Sequence, residues 1–374
     1  MASGPRVFIA GAHTYLGARV AAVCQERDFD VIALAHENQE TYALEAIGVE
    51  IVRGSILEPE GWKNVLKRCD WALNLHRHFD FRGRVLRPRS PLERAWLRFS
   101  DRLHPTRTKE RIAVEKRLRA INVDGAVNFL DTCVAMDVPK VLTLSSLFAI
   151  GDQRGQMADE TFEHRRAFRS YYEKTMYDAL FQTRRRIDEG AQIACVLPGP
   201  TLGPRAEGPI PTLVEDYVAG RLPFAFTGPS QMTFTYIDDL VRGIFQIMDK
   251  RAPVGLYIFG NEPITWEAFF KALDKVAGVS PKDGWVKESS LESRADTAAM
   301  TGRAPPLPRE LLPYLMDCQF RFSSAKAKRD IGWDFTTMEI WMAELVEEIR
   351  QAEQGPATQA AIETFRRSAL PAGY

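Results

Sequence analysis

The chain is poor in cysteine. Five are spread over 374 residues, at Cys24, Cys69, Cys133, Cys195 and Cys318, with no Cys-x-x-Cys pair. An odd, scattered set excludes a disulfide framework and a thiolate zinc site, and it fits a reducing compartment. Long apolar runs are also lacking, so no segment is read as membrane-spanning. The opening Met1–Arg6 carries no basic stretch followed by an apolar signal region, which leads to the expectation of a cytoplasmic location. Metal-ligand spacing is missing around the six histidines, and no metal is expected. Ser145-Ser146 has no Gly-x-Ser-x-Gly elbow, which argues against a hydrolase triad. Internal repeats and low-complexity tracts are absent as well.

Net charge is another absence, since Lys+Arg and Asp+Glu each total 49. The balance is uneven along the chain. Residues 77–119 hold fourteen Lys and Arg against five Asp and Glu, a net +9. Phe79, Phe81, Trp96, Leu97, Phe99 and Leu103 are interleaved there, and 96–103 fits a short amphipathic helix. Such a segment suits an anionic membrane surface, which would make the protein membrane-peripheral, or an acidic protein. The plainer reading is a surface elaboration whose arginines pair with acidic patches. Nucleic acid is not expected, because no binding motif accompanies the charge.

What is present is an alternation of apolar runs and helical stretches. Arg6–Ala10, 31–35, 50–53, 71–75, 141–145 and 192–197 read as strands, with helices over 18–25, 120–136 and 172–190 between them. This pattern predicts an α/β fold, a Rossmann-like doubly wound parallel sheet. Prolines cluster after Gly199, which suggests a smaller C-terminal substrate-binding part. The expected division is 1–198 for the dinucleotide-binding domain with a basic insertion at about 77–110, 199–350 for the substrate part, and 351–374 for a peripheral tail.

The first strand runs into Gly11-Ala-His-Thr-Tyr-Leu-Gly17 and then a helix. Gly11 suits a tight turn and Gly17 close helix–strand packing, around a helix N-terminus that would receive a pyrophosphate. Thr14, Tyr15 and Leu16 complete this candidate cofactor site. Thr14 stands where a middle glycine would admit phosphate, and its hydroxyl would donate to one. At the end of the second strand, Ala35-His36-Glu37 leaves NAD and NADP both open.

Together with Leu142–Gly151, Ile121-Asn-Val-Asp-Gly125, Tyr172-Glu-Lys-Thr-Met176, Phe234–Leu240 and Ser323–Trp333, the turn resembles the extended short-chain dehydrogenase/reductase family, in particular its 3β-hydroxysteroid dehydrogenase and nucleotide-sugar epimerase-like branches. The resemblance implies Tyr172 as the proton-transferring residue, Ser146 as its partner on the substrate oxygen, and Asn122 as the family's helix asparagine. It further implies a lysine one helical turn after the tyrosine, where this chain has Met176. Lys174 would pair only with a shifted site at Tyr171; the plainer reading is a solvated helix charge. Other departures fall on the cofactor side. Ser55, followed by Ile56, replaces an adenine-binding aspartate. Leu197 precedes Pro198 where an arginine is common. His76 and Arg77 replace small residues at the fourth strand, where they would either block the nicotinamide channel or pair with a phosphate. Two functions follow as expectations. One is an NAD(P)-dependent oxidoreductase or epimerase-like enzyme for a hydroxyl or ketone of a small hydrophobic substrate, as a possible homodimer. The other is a non-redox derivative that has lost normal dinucleotide use.

Overall fold

The computed structural model describes residues 4–83, 105–250, 254–300 and 307–354. The predicted amphipathic helix at 96–103 and most of the tail lie outside them.

Seven strands form the central sheet: β1 (Arg6–Ala10), β2 (Asp30–Ala35), β3 (Glu50–Arg53), β4 (Trp71–Asn74), β5 (Lys140–Leu144), β6 (Ile193–Pro198) and β7 (Gly255–Phe259). Their order is β3-β2-β1-β4-β5-β6-β7, and every pairing is parallel. The strands are apolar in unbroken runs because helices cover both faces. Val7, Phe8, Ile9 and Ala10, for example, are all buried. The sheet is thus a Rossmann-like doubly wound one, as expected. β7 comes from beyond residue 198, so the sheet draws on the C-terminal part of the chain.

The helices that matter for the site are α1 (Tyr15–Glu26), α2 (Pro105–Arg119), α3 (Ala126–Ala135), α4 (Tyr171–Asp188), α5 (Pro209–Val218) and α6 (Ile237–Met248). Between α2 and α3, Ala120–Gly125 makes one wide π turn that contains Asn122. Such turns push a side chain out of the regular helical ladder. α4 starts at Ser170, whose hydroxyl accepts from the Glu173 N–H at 3.1 Å. That cap fixes where Tyr172 sits on the first turn.

Strand order reverses between β1 and β4, and ligands of this architecture bind at that crevice. Ala10 is in register with Asn74, and Leu75 N–H continues the ladder by donating to Ala10 at 2.9 Å. The turn after β1 and the segment after β4 therefore leave the sheet side by side. Among the described residues no helix is long and apolar enough to cross a membrane.

Candidate active site

The turn after β1 is built as a dinucleotide turn. Gly11 has φ +91°, a region that glycine alone enters cheaply. A Cβ on Gly17 would lie 2.0 Å from the Gly11 carbonyl oxygen, so α1 can approach β1 this closely only with glycine there. Thr14 is the N-cap of α1: its hydroxyl accepts from Gly17 N–H at 3.1 Å and donates to Gly11 O at 2.8 Å. In this arrangement the Thr14 hydroxyl proton is directed within the turn.

Two groups of the chain itself stand in this frame. The first is Glu207, whose carboxylate accepts from Tyr15 N–H at 3.4 Å. A helix N-terminus favours an anion, and here the protein supplies one. The second is the segment after β4. A Cβ on Gly11 would meet the His76 backbone N at 2.7 Å, so His76 is seated directly on the turn. Its ring lies edge-on to His13 at 5.0 Å. Burial pulls the His76 imidazole down to about 3, with the His13, His78 and Arg117 charges acting the same way, so it is neutral at physiological pH.

The remaining cofactor candidates are occupied by local structure. Tyr15 OH accepts from Arg19 at 3.1 Å, and Leu16 is buried. The His36 N–H donates to Gln39 at 2.7 Å, while Arg53 donates to the His36 and Gln39 carbonyls and to Thr41 Oγ1. Ser55 Oγ accepts from Leu57 N–H at 3.2 Å. Ile56 packs on Gly125, and Pro198 ends β6 in register with Phe259.

On the other side of the crevice, Tyr172 and Ser146 are brought together. Tyr172 is 0% exposed, and its hydroxyl has no well-formed hydrogen bond. Burial pushes the phenol up to about 12, opposed by the Arg77 charge and the Ser146 hydroxyl. Ser146 caps a short turn by accepting from Phe148 N–H at 3.3 Å. Met176, one turn after Tyr172, is 2% exposed. Lys174 pairs with Asp178 instead, which fits its reading as an outer helix charge rather than part of a site at Tyr171.

Residues 76–83 form a strap over Tyr172. Phe79 stacks on the Tyr172 ring at 4.9 Å, and Phe81 meets it edge-on at 5.2 Å. From behind, Phe148 adds an edge contact at 6.2 Å. Arg77 donates to the Ser145 carbonyl and lies over the Phe79 ring at 4.9 Å. Asn122 clamps the strap: it accepts from His78 N–H at 2.8 Å and donates to His78 O at 3.0 Å, and it also donates to Thr175 Oγ1 at 3.3 Å. Asn122 thus faces the strap rather than the Tyr172 hydroxyl. Phe79 and Phe81, read above with a surface insertion, instead pack inward on the tyrosine. His76 lies against the Gly11 turn and Arg77 against the Ser145 carbonyl, so both stand inside the crevice. Phe79, Phe81, Phe148 and Glu207 belong to the site and were missed as such; the alternation of Phe79 and Phe81 was their only local signal.

This geometry is one of partial fit to a dinucleotide. The Gly11 turn and the crevice are in place, but Glu207 stands at the α1 N-terminus and the strap closes the end at Tyr172.

Comparison with known proteins gives the lineage. Residues 108–257 match the NAD dependent epimerase/dehydratase family. A 3beta-hydroxysteroid-dehydrogenase/decarboxylase isoform 1 from Arabidopsis thaliana is 23% identical over 57% of this chain and 54% of its own length, so the match spans about half of that enzyme. A 2-alkyl-3-oxoalkanoate reductase from Shewanella oneidensis is 22% identical over 87% of this chain and 81% of its own. In fold, the chain is similar to a dTDP-glucose 4,6-dehydratase from Bacillus anthracis solved in complex with NAD, with a TM-score of 0.66, 14% identity, and coverage of 94% of this chain and 98% of that one. The Gly11–Gly17 turn, the Ser146–Tyr172 pair and these matches agree: over residues 108–257 the chain matches the NAD dependent epimerase/dehydratase family, and it is similar in fold to solved members of the extended short-chain dehydrogenase/reductase group.

Proposed function

We propose that this chain is an NAD(P)-dependent oxidoreductase, or an epimerase-like relative, acting on a hydroxyl or ketone of a hydrophobic substrate such as a sterol, terpenoid or long-chain lipid. One observation carries the reading: Tyr172 and Ser146 share a buried site walled by Phe79, Phe81 and Phe148. With its pKa pushed up to about 12, the phenol keeps its proton at neutral pH and is suited to donating it to a substrate oxygen. Ser146 would hold that oxygen by a second hydrogen bond. Aromatic walls favour an apolar substrate, since each Å² of apolar surface removed from water contributes about 25 cal/mol. The printed names of the Arabidopsis and Shewanella relatives, a hydroxysteroid and an alkyl oxoalkanoate enzyme, support the same class. NAD(P), when bound, supplies the hydride exchange. The strap must lift for substrate to reach Tyr172.

The closed strap and Glu207 favour a second reading, a non-redox derivative. It would be a binding protein or an isomerase that uses only the Tyr172 proton. Titration of purified protein with NADH and with NADPH separates the two, because a ligand of the native state raises the melting temperature. A saturable rise supports the oxidoreductase reading. No rise with either at millimolar concentration sinks it. For the basic stretch 77–119 the proposal is contact with an anionic membrane surface or an acidic protein, and cosedimentation with anionic vesicles tests the first.

A further inference from the structure

Met176 leaves α4 without a cation one turn after Tyr172, yet the cavity Met176 faces contains one. Met176 and Arg77 line the same small cavity, together with Asn74, Asn122 and Ser145. Met176 enters from α4, and Arg77 enters from the end of β4. The guanidinium donates to the Ser145 carbonyl and covers Phe79, which in turn stacks on Tyr172. The titratable groups facing Arg77 are Tyr172 and Cys195 on β6, both neutral at physiological pH, and the Arg77 charge favours ionisation of Tyr172.

A lysine at 176 would place its ammonium in the same enclosed space as this guanidinium. None of the residues lining the cavity is acidic, so nothing there would offset two like charges in a low-dielectric setting. Methionine fills the volume without charge and adapts to an irregular gap. Arginine also suits the other position better than lysine would. Its planar head can lie on an aromatic face and donate to a carbonyl at the same time, and it stays protonated when buried. The two departures, a cation gained at 77 and one lost at 176, therefore form one exchange.

We propose that Arg77 is a positioning residue that takes over the charge of the lysine absent at 176, delivered from β4 instead of α4, with Met176 as the change that accommodates it. The inference rests on the reading of Tyr172 as the proton-transferring group.

The test is a cycle of four full-length proteins: wild type, Arg77→Met, Met176→Lys and the double variant. Thermal melts should show Met176→Lys losing about 5 °C or more in the presence of Arg77, and little in the Arg77→Met background. If Met176→Lys alone fails to accumulate as folded protein while the double variant does, the outcome is the same. Equal losses in both backgrounds overturn the exchange. The second readout is the 13Cζ shift of Tyr172 at pH 8, from NMR of protein labelled with 13C-tyrosine and assigned by the resonance lost in Tyr172→Phe. It should move in Arg77→Met, return in the double variant, and hold in Arg77→Lys. A shift that stays put in Arg77→Met overturns the role, even where the melts show coupling. Neither readout needs cofactor or substrate. A failed NAD(P) titration therefore leaves this inference standing, and its own failure leaves the cofactor reading untouched.

Discussion

Asn122→Ala isolates the clamp that holds the strap over Tyr172. The substitution removes two hydrogen bonds to His78, at 2.8 and 3.0 Å. Each is worth about 1 kcal/mol net, so the closed strap loses about 2 kcal/mol relative to the lifted one. At 1.4 kcal/mol per factor of ten, that is about a 30-fold rise in the lifted population. Hydrogen exchange followed by mass spectrometry reads it directly, because amides of 76–83 should take up deuterium about 30-fold faster. Peptides from β5 and β6 should stay protected. Thr175→Val is the control: it removes the Asn122–Thr175 bond but leaves both bonds to His78. Unchanged exchange at 76–83 in Asn122→Ala refutes the clamp. A parallel rise in β5 and β6 would show that Asn122 holds the core rather than the strap.

Two further outcomes follow from carboxylates whose acidity the fold shifts. Local desolvation raises the Glu207 carboxyl even though the residue as a whole is exposed, partly offset by the Tyr15 N–H. Glu207→Gln removes a carboxylate from the α1 N-terminus and should tighten ADP-ribose by up to about 5-fold at pH 8. The advantage should shrink as pH falls and the wild-type carboxyl takes up its proton; calorimetry at two pH values checks this. On α5, burial with Asp216 raises Glu215 to about 7, Arg221 opposing and Glu348 adding. The unfolded chain ionises this residue near pH 4.3, so the native state holds the extra proton between about 4.3 and 7 and loses stability as pH rises through that window. Glu215→Gln should therefore stabilise by about 2 kcal/mol at pH 8, after allowance for partial exposure, and by much less at pH 5. Thermal melts at the two pH values decide it.

Much of the frame could be read locally. Arg6–Ala10 and 50–53 match their strands residue for residue, and the others differ at most by one residue at either end, because buried parallel strands are marked by unbroken apolar runs. Gly17 was legible too, since close helix–strand packing leaves room only for glycine. The contents of the crevice were harder to read. Glu207 reaches Tyr15 across 192 residues of chain, and no local pattern announces such a contact. Phe79 and Phe81 sit in a basic stretch, where an arginine-rich context favours a surface reading; only the register of β1 with β4 turns them inward. Gly255–Phe259 was not singled out because its place beside β6 depends on the whole sheet being formed. Met176 was visible at once, but its partner Arg77 lies 99 residues earlier and meets it only in the fold.

The central claim is a dinucleotide frame that is intact at the Gly11 turn and closed at Tyr172. Calorimetric titration of the wild-type protein with ADP-ribose and NADH side by side tests it most directly. With the strap shut, the nicotinamide end gains no seat, so the two ligands should bind within about 3-fold of each other. NADH binding about 30-fold tighter than ADP-ribose would contradict the closed site, and the absence of binding by both would contradict the frame itself.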